Sequence, residues 1–196
     1  MIRGIGQGSE EMVTAGPEDK EMEDWTVDGR EVIFARHNKD TGWDLYAAPV
    51  EGDHKPRPLV ERPFDQSEAC VSPDGKWLAY VSDESGQPEV FVQAMNDPST
   101  RAQISREGGE VLRWARSSNE LLYLSKHRLM SVKFAPGAAL NPGKPTLLFE
   151  DKKAWSGYDI AADGRLVVAR DADDKGAGTQ INVVLRWFDE IKQAQK

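Results

Sequence analysis

The chain has 196 residues, 39% of them hydrophobic and 30% charged, which is enough to bury a core and too apolar for a disordered chain. Its formal net charge of −8, with Lys and Arg scattered among acids, argues against a phosphate-binding surface, so no nucleic-acid partner is expected. Cys70 is the single cysteine, which excludes an intramolecular disulfide and a Cys-based zinc site, and no apolar run of membrane-spanning length occurs.

In chain order, Met1-Ile2-Arg3-Gly4-Ile5-Gly6 is not followed by the apolar run of a signal peptide. With Met1 as the start, the chain as written is expected in the cytoplasm. Gly4-Ile5-Gly6-Gln7-Gly8-Ser9 lacks the helix and Lys-Ser or Lys-Thr of a phosphate loop, and Glu10 and Glu11 follow it, so it reads as a flexible link. Glu11-Met12-Val13-Thr14 reads as an orphan strand within residues 10–15.

A repeat of about 45 residues then organises the chain. Asp-Gly pairs stand at Asp28-Gly29, Asp74-Gly75 and Asp163-Gly164, and Ser118-Asn119 holds the matching place in the third unit. The strands entering these turns are Asp24-Trp25-Thr26-Val27, Ala69-Cys70-Val71-Ser72-Pro73, Leu112-Arg113-Trp114-Ala115-Arg116 and Tyr158-Asp159-Ile160-Ala161-Ala162. Alternating or apolar second strands follow at Glu31–Ala35, Trp77–Ser82, Glu120–Ser125 and Arg165–Ala169. Asp-Gly suits a two-residue hairpin turn, because glycine takes positive φ at little cost.

Third strands are expected at Asp44–Val50, Glu89–Met95, Leu129–Phe134 and Ile181–Trp187. Fourth strands are expected at Arg57–Val60, Ala102–Ser105 and Pro145–Phe149. The pattern predicts an all-β fold, a single β-propeller (sub)domain of about four four-stranded blades at 22–61, 67–106, 110–150 and 156–187. The last unit lacks a fourth strand. If the orphan strand supplies it, the ring closes with four blades; a piece of a larger propeller has the same strand count. The tail 188–196 has acids early and lysines late, as a helix dipole favours.

Val71-Ser72-Pro73-Asp74-Gly75-Lys76-Trp77-Leu78-Ala79-Tyr80-Val81-Ser82, with Asp83-Glu84-Ser85-Gly86 and Glu89-Val90-Phe91-Val92 after it, resembles the TolB-like (PD40, WD40-like) propeller repeat. Unit one departs with Val27 in place of proline, and unit three with Ser118-Asn119. More narrowly, residues 24–50, that block and the ending Ile181–Lys192 resemble the C-terminal region of bacterial membrane-anchored serine/threonine kinases. That resemblance implies a sensor or scaffold lying outside the cytoplasm. It does not carry kinase activity here: His-Arg-Asp and Asp-Phe-Gly are missing, and His127-Arg128-Leu129 lacks the catalytic aspartate.

No Gly-x-Ser-x-Gly nucleophile elbow occurs. His37, His54 and His127 lie in different units, and Asp171-Ala172-Asp173-Asp174-Lys175-Gly176 fails the calcium-loop pattern at Lys175 and Asn182, so no metal or cofactor is expected. The chain therefore reads as a non-catalytic module binding protein, peptide or glycan, with a channel hydrolase or lyase, or a non-autonomous kinase fragment, as the alternatives. The candidate binding residues are the turn acids Asp28, Asp74 and Asp163 and the first-strand aromatics Trp25, Trp114 and Tyr158. For the aromatics the competing role is blade-to-blade packing. Open blade edges would permit a homodimer.

Overall fold

The computed structural model describes residues 2–4, 7–116, 119–137, 139–151, 155–161, 163–170 and 180–184. Every regular element among them is a strand. β1 (Ile2–Gly4) and β2 (Gln7–Glu11) pair as a two-stranded sheet. Four meander sheets follow, each antiparallel and each in sequence order. Sheet one comprises β3 (Lys20–Trp25), β4 (Glu31–Asn38), β5 (Gly42–Pro49) and β6 (Arg57–Val60). Sheet two comprises β7 (Gln66–Val71), β8 (Trp77–Ser82), β9 (Glu89–Ala94) and β10 (Asp97–Gln103). Sheet three comprises β11 (Glu110–Trp114), β12 (Glu120–Ser125), β13 (Arg128–Lys133) and β14 (Thr146–Glu150). Sheet four has β15 (Trp155–Ile160), β16 (Leu166–Arg170) and β17 (Gln180–Val184).

The cores lie between sheets, because alternate residues of each central strand point to opposite faces. Ile33, Ala35, Leu45 and Ala47 leave sheet one to meet Ala69, Val71, Leu78, Tyr80 and Phe91 of sheet two. Ala79, Val81, Val90 and Val92 on the other side of sheet two meet Leu112, Trp114, Leu121 and Tyr123 of sheet three. Leu122, Leu124 and Leu129 then meet Tyr158, Leu166 and Val168 of sheet four. Central strands such as β8, β9 and β12 are buried along their whole length for this reason. Each fully buried Leu, Ile or Tyr removes enough apolar surface to contribute ~1.5–3 kcal/mol.

The first sheet has a second buried face, where Val32, Phe34, Tyr46 and Ala48 pack under Val13. The orphan strand expected at Glu11–Thr14 is corrected here. β2 ends at Glu11 and pairs with β1, and Val13 reaches sheet one from irregular backbone. One apolar side chain can bury from a loop, so a short apolar pair in a polar stretch does not require a strand.

The hairpin turns also differ from the two-residue form. Ser72 N–H donates to Trp77 C=O at 2.8 Å, leaving four residues in the loop, and Gly75 N–H donates to Ser72 C=O at 2.8 Å. A two-residue Asp-Gly turn of type I′ needs positive φ at both of its residues. Positive φ falls on Gly75 alone, at 72°. The first unit repeats the arrangement, with Thr26 N–H to Glu31 C=O at 3.0 Å and Gly29 N–H to Thr26 C=O at 2.8 Å. In the fourth, Ala161 N–H bonds Arg165 C=O at 2.8 Å, in a loop one residue shorter. Segments 171–179 and 185–196, including the loop weighed for calcium, Trp187 and the tail, lie outside the described residues, as does Ser118.

Candidate functional site

The first strands β3, β7, β11 and β15 lie side by side and together line one cleft of about 880 Å3. That size falls within the range of ligand sites. Three of these strands carry a bulge at the same level. The register shifts between Met22 and Asp24 in β3, between Ser67 and Cys70 in β7, and between Glu110 and Arg113 in β11. Glu68 and Val111 sit there with φ of 52° and 55°, in the left-handed region that costs an ordinary residue energy.

A bulge turns a side chain out of the regular alternation. Here it lets carboxylates reach from one sheet to the backbone of the next. Glu23 Oε2 accepts the Ala69 N–H at 3.1 Å, and Asp24 Oδ2 accepts the Val71 N–H at 2.8 Å. Glu68 accepts the Val111 N–H one sheet further on. Trp114 Nε1 donates back to the Cys70 carbonyl at 3.2 Å. At the last junction the contact is ionic, with Arg113 Nε 3.8 Å from Asp159 Oδ1.

Burial pushes the Glu23 carboxyl up to about 7, against the lowering effect of the backbone N–H groups it accepts, with the neighbouring Glu68 charge adding to the rise. Burial raises Glu68 in the same direction. Burial also drives the Cys70 thiol upward, so it is a poor nucleophile at neutral pH.

The structure separates the six residues expected at the site. Trp25 lines the cleft and is 39% exposed. Trp114 touches the cleft but is 9% exposed, with its ring 5.1 Å from that of Phe134 in the core between sheets two and three. Tyr158 is 5% exposed and packs between sheets three and four, and its hydroxyl has no hydrogen-bond partner among the described residues. Asp28, Asp74 and Asp163 are not among the lining residues.

The turn acids close their own loops. Asp28 Oδ1 accepts the Thr26 hydroxyl at 2.7 Å and the Arg30 N–H at 3.1 Å, which holds its carboxyl below the ordinary range. Asp74 Oδ1 accepts the Ser72 hydroxyl at 2.7 Å and the Lys76 N–H at 3.2 Å, and these bonds outweigh the penalty of its partial burial. Asp163 takes the Arg165 N–H at 3.2 Å and Nε at 2.7 Å. The Ser-Pro-Asp-Gly-Lys pattern thus builds the turn.

Glu23, Glu68 and the set Asp24, Cys70, Arg113 and Asp159 were not singled out by the sequence reading. The last four occupy one column of the repeat, two residues before the turn-closing Thr26, Ser72, Ala115 and Ala161. Three charges at one column of the repeat was the available signal.

No family model matches the chain, and no curated protein matches it. Solved structures do. TolB from Acinetobacter baumannii superimposes with a TM-score of 0.69 over 89% of this chain, at 13% identity. The fold is that of a TolB-like β-propeller. A puromycin-hydrolyzing peptidase from Mycobacterium tuberculosis matches this propeller fold with a TM-score of 0.66 over 86% of the chain, at 19% identity. The tricorn protease matches at 0.55 over 87%, at 12% identity. The propeller described here spans 43%, 30% and 17% of those three chains, less than half of each.

Proposed function

We propose that this TolB-like propeller is a non-catalytic binding module whose cleft along the four first strands receives a polypeptide segment. One observation carries the reading. The cleft's carboxylates Glu23, Asp24 and Glu68 are already engaged with backbone N–H groups of the neighbouring sheet. Groups held this way make a rigid wall, which favours recognition through pre-organisation. A general base, by contrast, needs a carboxylate directed at a substrate proton.

The lining supports a polypeptide over a glycan. It mixes the exposed indole of Trp25, the apolar Val27 and Pro73, carboxylates and the guanidinium of Arg113, a combination that suits a chain carrying both apolar and charged side chains. The resemblance to kinase-linked propellers supports a sensor or scaffold role for such binding, and a homodimer through open blade edges is a further proposal.

Because peptidases share this fold, turnover is the competing reading. Selection of displayed random peptides on the immobilised chain tests the proposal. Peptides whose binding is lost in W25A support it. Peptides that bind W25A equally, or a peptidase activity that survives repurification and falls in E23Q, would sink it.

A further inference from the structure

We propose that a second pocket, between sheets two and three and separate from the cleft, binds a small carboxylate that carries an apolar ring, with the carboxylate held by Arg106 and the Tyr123 hydroxyl.

The pocket has a volume of about 300 Å3, at the lower end of the range of ligand sites. It shares no lining residue with the cleft. Ile104, Met130 and Pro145 give it apolar walls, and Arg106, Tyr123 and Arg128 bring polar groups to it. A few polar groups set in apolar walls are what orient a small ligand.

Tyr123 is the first pointer to a ligand. Its ring belongs to the core between sheets two and three and is 2% exposed, yet the residue also lines the pocket. Its hydroxyl makes no hydrogen bond with a described residue, and that oxygen is not sealed in as those of Tyr80 and Tyr158 are. The charged groups within its electrostatic reach are Glu89, Arg128 and Glu107, and the last two line the pocket. Burial pushes the phenol up to about 12, so the hydroxyl keeps its proton and can donate it to a ligand oxygen. A buried hydroxyl without a partner carries a desolvation cost that a ligand acceptor relieves.

Charge is the second. Arg128 Nη2 bonds Glu107 Oε2 at 2.6 Å, so these two neutralise each other. Glu89 does not line the pocket, and its oxygens already accept the Ser105 hydroxyl, the Gly108 N–H at 3.0 Å and the Gln87 amide. Arg106 is exposed and pairs with no described residue. The uncommitted charge at the pocket is therefore a guanidinium, whose planar fork matches a carboxylate.

The segment carrying Arg106 is held in place from several sides. Ser125 Oγ donates to the Glu107 carbonyl at 3.2 Å, and Gly109 N–H donates to the Pro88 carbonyl at 3.1 Å. A Cβ on Gly109 would stand 2.5 Å from Val90 Cγ2, so glycine lets the segment lie against β9. A wall fixed before binding loses little freedom when a ligand arrives. The rest of the ligand follows from the apolar walls. A methionine thioether favours the edge of an aromatic ring. A cavity of ~150 Å3 holds benzene, so this one has room for a ring with a carboxylate arm.

Titration calorimetry of the full chain with phenylacetate, phenylacetamide and phenethylamine tests this. Phenylacetate should bind one-to-one with a dissociation constant of about 1 mM or tighter. The amide should bind about tenfold or more weakly, and the amine not at all. General attraction cannot mimic this order, because a net charge of −8 repels anions. R106A should weaken phenylacetate about tenfold or more, and Y123F about threefold or more. Y123F keeps the ring and removes an unpartnered hydroxyl, so its urea midpoint should be unchanged or raised. No saturable binding of phenylacetate up to about 10 mM would overturn the proposal. Equal binding of the amide, equal binding by R106A, or a lowered urea midpoint in Y123F would overturn it as well.

Discussion

Replacing Glu23 by Gln should stabilise the protein at alkaline pH and leave it unchanged in acid. The Glu23 carboxyl rises from 4.5 to about 7 on folding, mainly because burial penalises its charge. Between those values the folded chain binds more protons than the unfolded one, so stability falls as pH rises through the window and levels off above it. At about 1.4 kcal/mol for each pH unit, the full penalty would be ~3 kcal/mol. The cleft is open to water, and screening reduces this to ~1–2 kcal/mol. Glutamine carries no charge to bury, and its amide oxygen can still accept the Ala69 N–H that Glu23 accepts at 3.1 Å. Urea unfolding of both proteins at about pH 5 and about pH 8 measures the effect. E23Q should be slightly the more stable at the lower pH, which already lies above 4.5, and clearly the more stable at the higher. A loss of equal size at both would refute the reasoning, because it would mean that the carboxylate bond outweighs burial.

Three further outcomes follow from the packing. W114A should cost ~3–5 kcal/mol in urea unfolding, because that indole is buried against Phe134, whereas W25A should cost under ~1.5 kcal/mol and act mainly on binding. G75A should lower stability by ~1–2 kcal/mol, since φ of 72° suits glycine and no neighbour crowds the site beyond ordinary contact with Val27, so the loss is one of backbone conformation. D74A should cost ~1 kcal/mol at neutral pH by removing the acceptor of the Ser72 hydroxyl and the Lys76 N–H. Because those bonds hold Asp74 below its ordinary pKa, this difference is present above the ordinary carboxylate range and disappears in acid, which a thermal-melt pH series records.

The second strands were the most legible part of the fold. Trp77–Ser82 and Glu120–Ser125 begin and end where their apolar runs do, since burial on both faces leaves an uninterrupted signal. Outer strands were less so. The fourth strand of the second unit was expected at Ala102–Ser105 and runs over Asp97–Gln103, because exposed Asp97, Pro98 and Ser99 look like a loop while an edge strand needs no apolar face. Turn positions were legible through Asp-Gly, but the turn form goes with side-chain bonds, Thr26 to Asp28 and Ser72 to Asp74, that the glycine alone does not reveal. The cleft was legible in part. Trp25, which lines it, was picked out because an aromatic in a first strand stands out. Glu23 and Glu68 were missed because their importance comes from bulges, which break the alternation that sequence patterns depend on.

Hydrogen exchange read by mass spectrometry, with and without a peptide selected on the immobilised chain, tests the central claim most directly. Protection is predicted along the first strands, at residues 22–26, 67–72 and 110–114, which line the cleft. Protection confined to the outer strands β6, β10 and β14 would contradict it and move the ligand to the rim of the sheets.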